Sequence, residues 1–483
     1  MRKINMKTRV ASSFLSAVTA IQSGAAAVSN SHAGKNPAVP DKPKNVIKGT
    51  VAVKKPNWRI VNDNYFYSDS YFEHSGKERD AHLRTMSAAL AFAAKGTSEN
   101  HIKMLNNIGF SDIKTYDMDK TTADTIGTVL AHKEIGGEEV VAVSIRGDDY
   151  KNEFASNFLV GEQGDARGFA SAAKIVKKRM KAYIEENGFD FVKIWMVGYS
   201  RAGAVANLIG RDINRRPDDY LTDEDSLYVY TFEAPNCSEV PTVYRNIHNV
   251  SDCRDIVSEF YPEAWGLYLN GVREEIGDAK DTLMAKKLNL IAPGYNDDFK
   301  EVNKAMFVMK FSDFIGKNIS RSVFSDTLER HLSQLIDIFF SMTGIQKAVL
   351  AVYINQVIAN IKSDKDLLRT AMALFSDSDQ DKAAEDAAAF IIRSLDKAAS
   401  EVKTPFSEQE YSAVKDAVKP IVSALIPIIK SDLTTLTIDA DGSVVTVPIY
   451  HILSFVGNLN NIIKHHYTAS VFERLKALDS YYA

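Results

Sequence analysis

Residues 190–210, "DFVKIWMVGYSRAGAVANLIG", constrain the fold more than any other stretch of the chain. Phe191–Val197 is an apolar run broken only by Lys193. A short run of that kind is the pattern of a strand buried on both faces, which belongs to a parallel sheet covered by helices. The chain then turns at Gly198-Tyr199-Ser200, and an amphipathic helix rich in small residues starts with no linker. Ala202, Gly203, Ala204 and Ala206 keep that helix thin where it passes the sheet.

The neighbouring segments agree. Residues 78–97 and 100–110 have helical apolar spacing. Residues 122–135 and 138–147 form two strands around Gly136-Gly137, the second continuously apolar. Residues 168–188 form a helix with a basic outer face, 201–216 a second helix, and "SLYVYTFEAP" (226–235) another strand. Alternating strands and helices predict an α/β core with a mainly parallel sheet and crossover helices.

The pattern changes after residue 295. Four segments between 300 and 430 have helical periodicity, and Ser407 with Glu410 forms a capping box for the last of them. Residues 296–430 therefore make a large helical insertion or cap. Residues 435–448 read as a β-hairpin across Asp441-Gly442, and 431–483 as a hairpin and helix returning to the core. At the other end, residues 1–33 run from basic to apolar to small, the layout of a secretory signal. Serines and threonines dilute its apolar part, so a cytoplasmic protein with a polar tail is the alternative to a secreted or cell-surface one. Residues 34–47, rich in Pro and Lys, read as a linker, leaving 48–295 for the core.

Ser200 closes a strand and opens a helix, where its hydroxyl would project from the carboxyl edge of the sheet. Taken alone, Gly198-Tyr199-Ser200 fits a helix-capping serine equally well. A catalytic reading gains from the buried strand before it and the small residues after it. The helix start favours negative charge, and the backbone N–H of Arg201 is the first donor for an oxyanion.

With these stretches together, the chain resembles the fungal-type, class-three lipase family of the α/β-hydrolase superfamily. "VVAVSIRGDDY" (140–150) is similar to that family's strand ending in Arg-Gly, and the resemblance gives Asp148 the second oxyanion-hole N–H. "ARGFASAAKIV" (166–176) resembles its Gly-Phe helix start, with Ala166 where the family often has His. Residues 230–262 resemble the strand, Ala-Pro turn and following strand that lead to the catalytic Asp, here Asp255. "IIKHHYTASVFERLKAL" resembles the closing segment, which implies His466 as the catalytic base. The likeness spans roughly 90–275 and 450–478. It implies a Ser200-His466-Asp255 triad acting on carboxylic esters, acylglycerols or other lipids among them, with no metal and no cofactor. A non-catalytic binding or surface protein on the same scaffold is the competing reading.

Rival residues stand beside each of these. Asp252 competes with Asp255, which is preferred for a strand-end position, and His465 with His466, preferred for its spacing to the following helix. His451 reads as structural. Cys237 and Cys253, the two cysteines of the chain, read as core thiols unless the protein is secreted. The Arg146-Gly147-Asp148 tripeptide follows a buried-strand pattern and so is not read as an adhesion motif. "DSDQD" (377–381) has Lys382 where a calcium loop needs Gly, and reads as a solvated helix start. Apolar stripes at 305–315 and 335–345 suit an acyl-chain cap or an ordinary helical core. A net charge of −4 over 483 residues points to no nucleic-acid partner. No apolar run reaches membrane-spanning length, so any lipid contact would be transient and at a surface.

Overall fold

The computed structural model describes residues 45–55, 59–95, 97–119, 125–147, 153–252, 254–276, 315–316, 319–363, 380–433, 436–438, 444–446 and 464–482. The signal-like segment 1–33, His451 and the 305–315 stripe, apart from Ile315, lie outside these residues. The chain opens with an antiparallel hairpin, β1 (Ile47–Lys54) and β2 (Ile60–Tyr67). Ile47, expected to end the linker, already belongs to β1. Helices α1 (Ala81–Ala93) and α2 (Ser98–Asn107) follow. Asp80 caps α1, its side chain accepting from the backbone N–H of His82 and Leu83.

A seven-stranded mixed sheet forms the centre. Its strands are β3 (Ser111–Tyr116), β4 (Thr128–Ile135), β5 (Glu138–Ile145), β6 (Val192–Tyr199), β7 (Leu227–Phe232), β8 (Ile247–Ser251) and β9 (Val272–Glu275), in that order across the sheet. The β3-β4 and β4-β5 pairs are antiparallel, and every pair from β5 to β9 is parallel. Gly136 and Gly137 both take positive φ at the β4-β5 turn, the conformation a tight hairpin asks of them. Helices α3 (Arg167–Asn187) and α4 (Arg201–Arg215) link β5 to β6 and β6 to β7.

The period of two along β6 divides the core. Ile194 and Met196 join α3 and α4 in one apolar cluster, while Trp195, Val197 and Tyr199 join α1 in another. The second cluster also takes Val51 and Val53 of β1, Tyr65 and Tyr67 of β2, and Val471, Phe472 and Leu475 of the last helix, α9 (Thr468–Ala477). Packing of α9 on α1, with the Phe92 and Phe472 rings 5.9 Å apart, brings the end of the chain back to the sheet.

Between them lie α5 (Glu329–Ser341), α6 (Gly344–Ser363), α7 (Gln380–Glu401) and α8 (Glu408–Leu433). The capping box of α8 is formed: Ser407 N–H donates to Glu410 Oε2 at 2.7 Å, and Glu410 N–H to Ser407 Oγ at 3.3 Å. Arg321 docks this region on the core by donating to the carbonyls of Gly161 and Gly164, each at 2.7 Å. Strands β10 (Leu436–Ile438) and β11 (Val444–Thr446) pair antiparallel, as expected of a hairpin there. The Asp441-Gly442 turn lies outside the described residues. Among the described residues no helix is long and apolar enough to cross a membrane.

Candidate active site

All parallel strands end on one edge of the sheet, and the candidate residues gather there. Ser200 stands at the junction of β6 and α4 with φ 58° and ψ −127°. A residue with a side chain in such a backbone state is strained by about 1–3 kcal/mol and stays there only when its surroundings hold it. Ser200 N–H donates to Phe232 O at 2.7 Å, and Ser200 O accepts from Gly203 N–H at 2.8 Å. The turn also depends on missing side chains. A Cβ on Gly198 would lie 2.2 Å from Ala202 O, one on Gly203 2.8 Å from Ala234 Cβ, and one on Gly147 1.8 Å from Tyr199 O. Glycine is thus required at 203, where α4 crosses the exit of β7, while Ala202 fits fully buried beside it.

Ser200, His466 and Asp255 come together in series. Ser200 Oγ donates to His466 Nε2 at 2.9 Å, and His466 Nδ1 donates to Asp255 Oδ2 at 2.5 Å. His466 ends a tight turn, Lys464–His466, just ahead of α9. Its ring stacks on Tyr199, with centroids 5.0 Å apart, and the Tyr199 hydroxyl donates to the His466 carbonyl. Asp255 is fully buried, its second oxygen accepting from Val257 N–H at 2.9 Å.

The rival pair has partners of its own. His465 Nδ1 lies 3.2 Å from Asp252 Oδ2, and Asp252 also pairs with Arg254 at 2.9 Å and Arg474 at 2.7 Å. Burial opposes the charge on Asp252, but the hydrogen bond from His465 and the charge of Arg254 hold its pKa below the ordinary carboxylate range. Asp255 was expected at a strand end. In fact β8 stops at Ser251, Asp252 is the strand-end residue, and Asp255 lies three residues further on, in a turn closed by Asp255 N–H to Asp252 O at 2.9 Å. That turn places Asp255 beside His466 and leaves Asp252 to His465.

The oxyanion side is described in part, because Asp148 lies outside the described residues. Arg201 begins α4, whose first amides point outward as at any helix start. Its buried guanidinium donates to Ser156 Oγ at 2.7 Å. Arg146 is buried too, bound to Glu153 at 2.6 Å and to the carbonyls of Asp117 and Met118, so its side chain is turned into the protein. Burial raises the Glu153 carboxyl above its usual range, while the charges of Arg146 and Arg201 oppose the shift.

Of the remaining candidates, Cys237 is a free, buried thiol whose pKa burial pushes up, and Cys253 lies outside the described residues. Gln380 opens α7, in line with a helix start at the end of "DSDQD". Among the described residues no group of His, Cys, Asp or Glu is arranged to hold a metal ion.

One acidic residue went unnoticed in the sequence. Glu233 follows β7 directly, is fully buried, and takes φ 48°. Both of its carboxyl oxygens face the Asp252 N–H, at 2.9 and 3.1 Å, and its side chain hydrogen-bonds Asp255. The available signal was a carboxylic acid wedged between a fully apolar strand and Ala234-Pro235.

No protein-family model matches the chain, and no curated protein matches it significantly.

Proposed function

We propose that this chain is a serine ester hydrolase of the α/β-hydrolase type, similar to the class-three lipases, that cleaves carboxylic esters through an acyl-enzyme. The observation behind this reading is the series Ser200 Oγ–His466 Nε2 at 2.9 Å and His466 Nδ1–Asp255 Oδ2 at 2.5 Å, placed on a positive-φ serine at a strand-to-helix turn. Ser200 Oγ attacks the ester carbonyl carbon as His466 Nε2 takes its proton. Asp255 keeps the Nδ1 proton in place and stabilises the imidazolium. The oxyanion meets the N–H of Arg201 and, by resemblance, that of Asp148, and each such donor is worth about 3–4 kcal/mol in the transition state. His466 then protonates the leaving alkoxide, and water repeats the sequence to free the acid.

An apolar acyl group suits the surroundings. Phe154 and Phe158 lie on the segment after residue 147, and Phe154 meets Phe340 of α5 with ring centroids 5.2 Å apart. Within the helical region itself, Leu335, Ile338, Phe339 and Met342 line an apolar cavity of about 270 Å³ with residues of α6, α7 and α8. The N-terminal pattern favours a secreted or cell-surface location.

The test is hydrolysis of p-nitrophenyl esters of short and long acyl chains, with fluorophosphonate labelling in parallel. Ser200→Ala should lower turnover by at least about 10³-fold and abolish labelling. Equal turnover in both proteins would remove Ser200 from the mechanism. A wild-type chain that neither hydrolyses nor labels would favour the binding-protein reading.

A further inference from the structure

Three acidic side chains, Glu233, Asp252 and the Asp255 of the candidate triad, are fully buried. Their cations are unevenly shared. From the loop after β8, Arg254 pairs with Asp252. From α9 and the turn before it, Arg474 and His465 also face Asp252, whereas His466 faces Asp255. Among the described residues no cation pairs with Glu233. What surrounds it is the Asp252 N–H and the two aspartates, the hydrogen bond running to Asp255.

Two carboxyls joined by a hydrogen bond hold one proton between them. The donors decide which one carries it. Asp255 already accepts at both oxygens, from Val257 N–H at one and from His466 Nδ1–H at the other. Glu233 accepts only from one amide, and its other role can only be that of donor. We propose that Glu233 is a positioning residue, a neutral carboxylic acid that accepts from Asp252 N–H and donates its own proton to Asp255, fixing Asp255 behind His466. This rests on the serine-hydrolase reading and extends it. Burial and the charges of Asp255 and Asp252 all raise the Glu233 carboxyl well above its ordinary range, in the same direction. The backbone points the same way. A left-handed φ of 48° suits glycine best, so a glutamate there is retained against a local cost.

Two substitutions separate the roles. Glu233→Gly suits the backbone and removes the donor. Glu233→Gln keeps an acceptor for Asp252 N–H and a donor for Asp255, and removes no charge if Glu233 is neutral. In the full chain, Glu233→Gly should lower kcat about tenfold with KM within about twofold, a loss of the order expected from a missing orienting bond. Glu233→Gln should restore most of the kcat and leave the acid limb of the kcat/KM pH profile where the wild type has it. The wild type should also show an infrared band of a buried, protonated carboxyl that is lost in Glu233→Gln. The low-field proton resonance of the His466–Asp255 bond should persist in Glu233→Gln and shift or vanish in Glu233→Gly.

An acid limb displaced downward in Glu233→Gln, or no carboxylic-acid band, would mean that Glu233 is ionised and overturn the proposal. So would an unaltered low-field resonance in Glu233→Gly. The two spectroscopic readouts need no substrate. If the wild type fails to label with fluorophosphonate, the hydrolase reading falls while the state of Glu233 is still decided.

Discussion

Replacing Ser200 by glycine should make the protein more stable than replacing it by alanine, against the usual ranking of these residues in ordered structure. Both variants lose the hydroxyl and its bond to His466, so that loss cancels between them. What differs is the backbone at φ 58°, ψ −127°. Alanine keeps a Cβ there, and the strain of such a state is about 1–3 kcal/mol. Glycine relieves it but gives the unfolded chain more freedom, worth about 0.4–1 kcal/mol in the other direction. The difference leaves Ser200→Gly ahead by up to about 2.6 kcal/mol, and by about 1.3 kcal/mol at the middle of both ranges. Urea unfolding of both variants in one buffer measures it, with the midpoint read at constant m-value so that the unfolded ensembles are comparable. Ser200→Ala more stable than Ser200→Gly by about 0.4–1 kcal/mol would show that the turn bears no strain. The contacts Ser200 N–H to Phe232 O and Gly203 N–H to Ser200 O would then be simple consequences of the turn, with nothing to restrain.

Two further substitutions test the surroundings. Gly147→Ala would set a Cβ 1.8 Å from Tyr199 O, immediately before the candidate nucleophile. It should cost about 1–3 kcal/mol of stability by overpacking and lower esterase turnover more than tenfold, with an unchanged far-UV spectrum excluding global unfolding. His101 is fully buried and pushed down to about 3 by burial, while the unfolded chain takes up that proton near pH 6.5. The unfolded state therefore binds more protons between these values, and stability is lost as pH falls from 6.5 towards 3, by about 2 kcal/mol between pH 8 and pH 5. His101→Leu should flatten that part of the curve in denaturant titrations; an unchanged slope would assign the acid sensitivity to other groups.

The middle of the sheet, β5 to β7, was legible because its strands are apolar at nearly every position. Val140–Ile145, Ile194–Val197 and Leu227–Phe232 have no other pattern open to them, and the helices between follow from the connections parallel strands need. The strands that escaped notice are half polar. In β2 the inward Tyr65 and Tyr67 follow Asn62, Asp63 and Asn64, and in β9 Arg273, Glu274 and Glu275 occupy an edge. An edge strand tolerates charge because one of its sides has no neighbour, so composition hides it. Ser200 was legible for the same reason as β6: a buried strand, a turn and a thin helix leave it one place to stand. Glu233 was not, because a sequence shows an acidic residue but not that three of them share one buried edge.

The two aspartates and the two histidines form two separate pairs, His465 with Asp252 and His466 with Asp255. Consecutive residues in a tight turn point their side chains in different directions, so His465 and His466 cannot serve the same carboxylate. His465 turns inward to Asp252, which Arg254 and Arg474 also grip, and the result is a buried anchor between the loop after β8 and the start of α9. That anchor fixes the next residue. With His465 held below and Tyr199 stacked alongside, the His466 ring has little freedom except to lie between Asp255 and Ser200. The last turn before α9 thus divides the work, one histidine holding the segment to the sheet and the other facing the serine. The three-residue spacing of Asp252 and Asp255 matches that division, because the turn closed by Asp255 N–H to Asp252 O sets the two carboxylates under two adjacent rings.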